Sequence, residues 1–480
     1  MIRNAELLVQ ELVKRPTETA WLEFKESNKD PKMIGEQISA LANSAVLHMR
    51  DYAYLIWGVS DSDHQIVGTS FDPTSQKIGN EPLVNWIRHS VSDNIDFEFE
   101  SCEINGKGIV ILRVSKAVYK PATFENAAYI RDGSATKRLD KLPALQERLW
   151  SELRRTDFEM LLADVDLSAE DVISTLDFIK CFDLLSIRVP TEQEGIIERL
   201  IENELVARQE DGLYALTNLG AMLFAKDVSR YPGLSRKSLR IVQYAGKGRT
   251  DIIRQIEETG GYAITFDNSV RMIEALLPAR EVIDGAFRKT IREYPTVAIR
   301  EALANAIIHQ DFTLRGMNLS VEIFDDRVEI SNPGTVLVDT YRIVNAKPQS
   351  RNEKLSDIMR RMHLCEELGT GWDKIVDSCE TYLLPAPTIA ESGNSTCVTI
   401  RGTKPFKDMT SDERLHACYM HACSRYAKGE SVTNASLRER FGLDQSNSSA
   451  VTVSRIIKRA LEAGVLKPNG QTNHYIPGWA

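Results

Sequence analysis

The sequence predicts a multidomain protein of the α+β class, with strands and helices mixed along the chain. Its 480 residues are too many for one ordinary hydrophobic core and correspond to about three or four domains. The hydrophobic content of 42% and the charged content of 26% are those of a globular protein. Short apolar runs bounded by turns alternate with longer stretches of helical periodicity, so both kinds of element are expected.

Charge and cysteine usage narrow the functional class. The net charge of −9 argues against nucleic acid covering the whole surface, although local basic patches remain compatible with it. The seven cysteines contain no Cys-x-x-Cys pair, so they indicate a reducing compartment and neither a disulfide framework nor a zinc site. Residues 1–14 lack the apolar core of a signal peptide, and runs such as residues 52–59 are too short to span a membrane. We therefore expect a soluble, cytoplasmic protein without a membrane partner.

The first predicted domain, residues 1–145, alternates between apolar runs and turns. Strands are expected at residues 52–59, 108–114 and 127–131, and a helix is expected at residues 32–47. These elements predict an α+β domain.

The second segment, residues 146–230, is strongly helical. Near its end, residues 205–207 and 213–215 flank a turn at Asp211-Gly212, which is typical of a small hairpin. The segment is therefore either a winged-helix unit or a connecting helical layer.

The third domain, residues 231–404, returns to mixed structure and ends at Lys404-Pro405. Residues 319–324 and 327–330 alternate at period two across a short polar turn, which predicts a hairpin. One further strand and two helices are expected, at residues 239–244, 267–277 and 296–309.

The tail, residues 405–480, has the order of a winged helix-turn-helix unit. Three helices are expected at residues 413–427, 434–441 and 448–463, followed by a hairpin that would form the wing.

The helix at residues 296–309 carries the most informative pattern. Glu301, Asn305 and His309 are spaced by four, so they share one helix face. A carboxylate beside an amide and an imidazole suits a magnesium–phosphate site, because Asn305 offers an oxygen to a hard cation and Glu301 can accept a proton from water. The alternative is a solvated helix face with chance spacing.

The surrounding motifs resemble those of the GHKL (Bergerat-fold) ATPases, in particular the divergent branch known as a helicase-like C-terminal domain. The resemblance rests on four segments in the family's order: residues 300–311 (REALANAIIHQD), 328–334 (VEISNPG), 350–352 (SRN) and 367–372 (ELGTGW).

This resemblance implies a GHKL-type α/β sandwich that binds ATP and Mg²⁺ (or Mn²⁺). It implies that Glu301 polarises the attacking water and that Asn305 holds the metal. It also implies that Gly369 and Gly371 let backbone amides approach the phosphates, and that residues 336–351 form the ATP lid. His309, Asn332 and Gly334 complete the candidate nucleotide-binding set.

One segment departs from the family pattern. The family's Asp-x-Gly-x-Gly loop, whose Asp reads the adenine amine, is replaced by residues 331–334 (SNPG), so no carboxylate is offered. Asn332 can still form a hydrogen bond with a base edge. Nucleotide binding is therefore expected, with slow or absent hydrolysis.

A second candidate site lies near the N-terminus. The strand at residues 21–25 places Glu23 and Lys25 on one face, with Glu18 just upstream and Asp61 at the end of a later strand. Carboxylates and a lysine at strand ends can hold a divalent metal and stabilise phosphoryl transfer. The alternative is an exposed, salt-bridged strand.

This region resembles the AlbA-like domain of the Schlafen family. The resemblance rests on Glu18 and on residues 21–26 (WLEFKE), 38–43 (ISALAN), 56–61 (IWGVSD) and 129–136 (YIRDGSAT). It implies nucleic-acid binding and, in some members, cleavage of tRNA-like RNA by three acidic residues. Glu18, Glu23 and Asp61 stand at the matching positions, with Lys25 beside them, so a metal-dependent nuclease is one expectation. Ser44-Ala45 replaces the family's usual Gly-Gly.

Two basic clusters are candidate phosphate contacts. Near the end of the first domain these are Arg131, Lys137 and Arg138, and in the third tail helix they are Arg455, Lys458 and Arg459. The alternatives are a solvated basic turn and a tail used for protein contact or dimerisation.

Three functions follow as hypotheses. The first is an ATP-switched nucleic-acid-binding protein (DNA or RNA), which as a nuclease would act in defence against foreign nucleic acid. The second is an ATP-responsive, DNA-binding transcriptional regulator without nuclease activity, and the third is a non-catalytic scaffold. The sequence contains no Gly-x-x-x-x-Gly-Lys-[Ser/Thr] loop, which argues against a helicase. A homo-oligomer is compatible with each of these functions.

Overall fold

A computed structural model describes residues 2, 4–14, 19–133, 135–154, 157–284, 287–344, 346–347, 349–365 and 370–480, without the side chains of residues 279–292. The chain folds as two compact units. The first comprises Met1–Asp157, Asp166–Ser168 and Arg208–Ala215, and the second comprises Phe158–Val165, Ala169–Ala207 and Leu216–Ala480. The division into four domains at residues 145, 230 and 404 remains a prediction.

The first unit is built on a four-stranded sheet and helix α2. Its helices are α1 (Ala5–Val13), α2 (Pro31–Leu47), α3 (Leu83–Ser90) and α4 (Pro143–Arg154). Its strands are β1 (Leu22–Lys25), β2 (Tyr52–Trp57), β3 (Lys77–Ile78), β4 (Glu81–Pro82), β5 (Phe97–Ile104), β6 (Lys107–Ser115), β7 (Thr123–Phe124), β8 (Ala127–Asp132) and β9 (Ala135–Arg138).

The sheet has the strand order β1-β2-β6-β5, with β1 parallel to β2 and the other pairs antiparallel. Strands β7, β8 and β9 form a separate sheet. Helix α2 begins where the Asp30 side chain accepts the Met33 N–H with Pro31 in the first turn, which is a favourable start for a helix. The predicted α+β character of this region is confirmed.

Short strands β10 (Leu162–Leu167), β11 (Val206–Arg208) and β12 (Tyr214–Thr217) are distributed between the two units. The helical segment of the second unit contains α5 (Ala169–Thr175), α6 (Phe178–Leu184), α7 (Gln193–Glu202) and α8 (Asn218–Phe224). Three helices and three short strands therefore precede α8, an order that is compatible with both a winged-helix unit and a helical layer.

The middle of the second unit contains a six-stranded mixed sheet of order β14-β13-β17-β18-β20-β19. The elements of this part of the chain, in sequence order, are β13 (Leu239–Tyr244), β14 (Ile252–Glu258), α9 (Tyr262–Leu276), β15 (Ala279–Asp284), β16 (Phe287–Arg292), α10 (Thr296–Ile308), β17 (Leu319–Ile323), β18 (Arg327–Pro333), α11 (Glu353–Arg361), α12 (Gly371–Thr381), β19 (Thr388–Ser392) and β20 (Ser395–Arg401). Strands β15 and β16 pair with each other outside the six-stranded sheet. Strands β17 and β18 pair antiparallel, so the predicted hairpin is confirmed.

The tail contains α13 (Ser411–Ala427), α14 (Asn434–Arg440), α15 (Asn447–Glu462), β21 (Leu466–Pro468) and β22 (Tyr475–Pro477). Helix α13 starts with a capping box, in which the Thr410 side chain and the Glu413 side chain each accept the other residue's backbone N–H. The two strands pair antiparallel. The predicted order of three helices and a hairpin is therefore present. Within the described ranges, the helices are too short or too polar for a membrane span.

Candidate functional site

Helices α10 and α12 bring three of the predicted residues together. Glu301 lies on α10 and is only 6% exposed. Gly371 is the first residue of α12, and a Cβ added there would lie 3.1 Å from Glu301 Oε2 and 3.1 Å from Asn305 Nδ2. Glycine therefore lets the start of α12 approach the carboxylate and the amide more closely than a residue with a Cβ would. The sequence prediction that these residues share a site is consistent with this geometry, whereas Gly369 lies outside the described residues.

A cavity of about 440 Å³ opens beside these helices. Asn305, His309, Asn332 and Gly371 line it together with the segment that the sequence predicts as a lid. From the lid, the lining residues are Val336, Leu337, Val338, Ile343, Ala346, Lys347, Gln349, Ser350 and Arg351. The volume falls in the range of small-molecule sites, and the lining combines apolar side chains with a few polar groups.

His309 caps the end of α10 inside this cavity. Burial, and secondarily the positive charge of Arg351, lower the pKa of its imidazole to about 4. The ring is therefore neutral near pH 7, and it offers a ligand one donor and one acceptor without charge.

Asn332 occupies the cavity wall on β18, where it is 6% exposed. Its Nδ2 donates a hydrogen bond to the Pro333 carbonyl at 3.0 Å, and the backbone carbonyl of Asn332 accepts one from Ser395 Oγ at 3.0 Å. The side-chain oxygen Oδ1 is thus the atom that would accept a hydrogen bond from a ligand amine.

Gly334 shapes the turn that follows β18. Its φ of +102° is a backbone conformation that favours glycine. A Cβ at this position would lie 2.9 Å from the Asp311 side chain and 3.1 Å from Arg351 Nη1. Gly334 therefore allows the tight turn at the start of the lid and does not itself line the cavity. Thr335, the next residue, does line it.

Arg351 and Asn352 fasten the end of the lid, a role that sequence reasoning missed. Arg351 Nη1 donates to the Thr335 carbonyl at 2.8 Å and to the His309 carbonyl at 3.2 Å. Asn352 Nδ2 donates to the carbonyls of Ile308 at 2.9 Å and Gln310 at 2.8 Å. These bonds hold both ends of the lid to the C-terminal end of α10. The sequence signal for this role was the SRN segment at residues 350–352, which is part of the family resemblance but had been given no role.

In the first unit, the predicted acidic cluster is built around a lysine. Glu23 on β1 is 3% exposed. Lys25 Nζ lies 2.7 Å from Glu23 Oε1 and 3.5 Å from Asp61 Oδ2, so the structure brings these three residues together. The guanidinium of Arg131 pairs with the other oxygen of Glu23. Glu23 is therefore a buried carboxylate between two cations. The strand is salt-bridged, as the alternative expected, but the expected exposure of Glu23 is wrong.

The predicted metal ligands of this cluster are Glu18, Glu23 and Asp61. Glu18 lies outside the described residues. Among the residues that the structure does describe, no group of three or more His, Cys, Asp or Glu side chains is arranged to hold a metal ion. A metal site at Glu23 and Asp61 would need Glu18 or a different side-chain arrangement around Lys25.

Polar residues of α2 position Arg131. Asn43 Nδ2 donates to the carbonyls of Ala122 at 2.9 Å and Tyr129 at 2.8 Å, and Asn43 and Ala122 are fully buried. Ser44 Oγ accepts the Arg131 N–H at 3.1 Å. The ISALAN motif and the serine that follows it thus attach β8 to α2, because buried polar groups require partners. Ser44, which replaces the expected glycine, fixes the backbone of the residue that neutralises Glu23.

The first basic cluster differs from its prediction. Arg131 is 4% exposed and paired with Glu23, so it is buried where a phosphate contact was expected. The reason is tertiary packing, which brings the guanidinium of Arg131 on β8 to the carboxylate of Glu23 on β1. Lys137 and Arg138 are exposed, and they pair with Asp132 and Asp140 at 2.7 Å each. Such surface pairs are weak and open readily to a phosphate.

The second basic cluster lies on α15. Arg455 and Lys458 are exposed, and Lys458 lies 3.8 Å from Glu462. Arg459 turns towards the start of α13, where it pairs with Asp412 at 2.7 Å. The exposed face of α15 thus presents Arg455 and Lys458, while Arg459 also joins α15 to α13.

Two family models match separate parts of the chain. Residues 18–140 match the family "Schlafen, AlbA_2", and residues 316–400 match the family "Putative ATP-dependent DNA helicase recG C-terminal". The chain carries both of these domains. The Schlafen AlbA_2 domain contains Glu23, Lys25 and Asp61. The recG C-terminal-like domain contains Asn332 and Gly371, and α10 precedes its matched residues.

No curated protein matches the chain. Among solved structures, the DIP2311 protein from Corynebacterium diphtheriae is similar, with 15% identity, a TM-score of 0.42, and coverage of 99% of this chain and 98% of that chain.

Proposed function

We propose that the chain is a nucleic-acid-binding protein whose activity depends on bound ATP. The observation that carries this proposal is that Gly371 lies against both Glu301 and Asn305, and that Asn305 and Gly371 line the cavity beside the lid. The recG C-terminal-like domain supports ATP as the ligand, and the Schlafen AlbA_2 domain supports nucleic acid as the partner.

The residues present fit a magnesium nucleotide. Asn305 supplies a neutral oxygen, which suits a cation that takes few protein ligands besides phosphate oxygens and water. Gly371 opens an 11-residue helix whose first N–H groups favour phosphate. Lys347 and Arg351 add positive charge to the cavity lining. When bound, Mg²⁺ would neutralise part of the phosphate charge.

Base recognition falls to Asn332 in this proposal. Its Oδ1 accepts a hydrogen bond from an amine such as that of adenine, in place of the family's carboxylate. An uncharged acceptor gives a weaker hydrogen bond than a carboxylate does. We therefore propose ATP binding with slow turnover, in which Glu301 takes the proton of the attacking water.

Nucleic acid would be bound by the first unit and by the exposed face of α15, with the tail acting as a winged helix. We also propose a cytoplasmic location, which the seven free thiols support because disulfides are rare in reducing compartments.

The test is the affinity for labelled tRNA, single-stranded DNA and duplex DNA, measured by fluorescence anisotropy with and without Mg·ATP. We expect wild-type protein to bind at least one of them with an affinity that Mg·ATP changes, and Asn305→Ala to bind without that change. The proposal is wrong if no nucleic acid binds, or if Mg·ATP has no effect on wild type.

A second candidate is a Schlafen-type nuclease, which would act in defence against foreign nucleic acid. The contact of Lys25 with both Glu23 and Asp61 favours it, because a cation between two carboxylates is also placed to stabilise a phosphoryl-transfer transition state. We expect such an enzyme to cut one of the three labelled substrates in Mg²⁺ or Mn²⁺.

The variants that separate the two candidates are Asp61→Ala and its control Asp63→Ala, an exposed acid two residues away. Cleavage that Asp61→Ala abolishes and Asp63→Ala retains would support the nuclease. Absence of cleavage with either metal would leave the non-cleaving, ATP-responsive DNA-binding regulator as the function.

A further inference from the structure

The predicted lid contacts the tail of the second unit through two aromatic residues. Tyr341, in the middle of the lid, stacks on Tyr419 of α13 with ring centroids 4.8 Å apart and an interplanar angle of 13°. The Tyr419 hydroxyl donates a hydrogen bond to the backbone carbonyl of Tyr341. One residue of the tail therefore holds both the ring and the backbone of one lid residue.

Trp479, the penultimate residue, extends this contact. Its Nε1 donates to the Tyr419 hydroxyl at 3.0 Å. The guanidinium carbon of Arg342, the next lid residue, lies 4.5 Å from the Trp479 ring centroid, which is a cation–π contact. The lid is thus attached to the tail at two consecutive residues.

The lid residues on either side of this attachment line the cavity. Leu337 and Val338 precede Tyr341, and Ile343 follows Arg342 directly. Neither Tyr341 nor Arg342 lines the cavity, so their contacts with the tail are separate from ligand contacts. Only one residue separates Tyr341 from Ile343, so the attachment of Tyr341 to the tail restrains the backbone next to a residue that lines the cavity.

The tail itself is held to the nucleotide domain by a different network. Glu380, near the end of α12, pairs with His421 of α13 at 3.0 Å and with Arg440 of α14 at 3.1 Å. His421 and Arg440 are 6% and 5% exposed, so this network is buried. These contacts attach α13, the helix that carries Tyr419, to α12 without involving a lid residue.

We propose that the tail is the dock of the nucleotide lid, and that the Tyr341–Tyr419 contact slows release of the bound nucleotide. This inference rests on the proposed nucleotide site. The docked lid holds Leu337, Val338 and Ile343 against the cavity. Nucleotide and docked lid stabilise each other, since a ligand that prefers one arrangement shifts the population towards it.

Dissociation of a fluorescent ATP analogue from the full-length protein, measured by stopped flow with Mg²⁺, tests the inference. Tyr341→Ala removes the stacked ring, and we expect release about fivefold faster than from wild type. Trp479→Ala acts from the tail side, outside the cavity, and we expect release about threefold faster.

Two variants are expected to release the analogue at the wild-type rate. Tyr341→Phe keeps the stacked ring, and the hydrogen bond from Tyr419 ends on the backbone, so the contact is preserved. Tyr382→Ala removes a tyrosine of similar exposure from the same unit, 47% against 42% for Tyr341.

If Tyr341→Ala releases the ATP analogue at the wild-type rate, the proposed docking of the lid on the tail is wrong, while the proposed nucleotide site is unaffected. Equal acceleration in Tyr341→Ala and Tyr382→Ala also overturns it, because the effect would then be a general loss of stability. If wild type retains no analogue at all, the proposed function fails and the dock fails with it.

Discussion

Gly371 lies against Asn305: a Cβ on Gly371 would lie 3.1 Å from the Asn305 amide nitrogen and 3.3 Å from its oxygen, which is tighter than ordinary van der Waals contact. This relationship joins the start of α12, where phosphate is expected, to the residue expected to hold the metal.

The first prediction follows from this contact. In Gly371→Ala the new methyl group displaces the Asn305 amide or the Glu301 carboxylate by a few tenths of an ångström, because packed interiors have little free space. We expect the affinity for Mg·ATP to fall about tenfold or more, measured by equilibrium titration. Gly233→Ala is the control, since a Cβ there meets nothing within 4 Å. Equal affinities in the two variants would contradict the prediction.

The second prediction concerns pH. Burial lowers the pKa of His309 to about 4, below its value of 6.5 in an unfolded chain. The unfolded state therefore takes up the proton first, and stability is lost as the pH falls from 6.5 towards 4. Between pH 7 and pH 5 the wild type should lose about 2 kcal/mol more stability than His309→Gln, measured by denaturation of the second unit. Identical losses in the two proteins would show that His309 is not buried as a neutral ring.

The third prediction concerns the buried pair in the first unit. Arg131→Ala leaves Glu23 buried with Lys25 as its remaining cation. We expect a loss of about 3–5 kcal/mol in the protection of β1 and β8, measured by hydrogen exchange. Arg138→Ala, whose ion pair is exposed, should leave exchange unchanged. If hydrogen exchange is unchanged in Arg131→Ala, the buried pair does not stabilise β1 and β8, and Arg131 would again be a candidate for direct phosphate contact.

The fourth prediction concerns the tail. Arg455→Ala and Lys458→Ala should each weaken duplex DNA binding and reduce the slope of log affinity against log salt by about one, because each removes a phosphate contact. Arg459→Ala should have the smaller effect, since Asp412 already neutralises this residue. A salt slope that none of the three variants changes would assign the tail to protein contact instead.

Local patterns in the sequence were sufficient for several of these features. The spacing of four between Glu301 and Asn305 placed both on one face, because helical geometry alone determines it. Alternation across a polar turn predicted the β17–β18 hairpin for the same reason. The motif resemblances predicted both domains that the family models match.

Contacts between distant residues could not be predicted in this way. Arg131 looked like a surface cation, because nothing near it in the sequence shows that β8 turns its side chain towards Glu23. Tyr341 and Tyr419 are 78 positions apart, and their stacking depends on how the tail packs on the recG C-terminal-like domain. The exposed-strand alternative for Glu23 was wrong because burial depends on tertiary packing.

The measurement that tests the central claim most directly is isothermal titration of the full-length protein with ATP, in Mg²⁺ and in EDTA. We predict that wild type and Asn268→Ala, an exposed helical amide of the same unit, bind ATP more tightly with Mg²⁺. Asn305→Ala should lose that Mg²⁺-dependent gain. Wild-type protein that binds no nucleotide, or Asn305→Ala that keeps the full Mg²⁺-dependent affinity, would contradict the account.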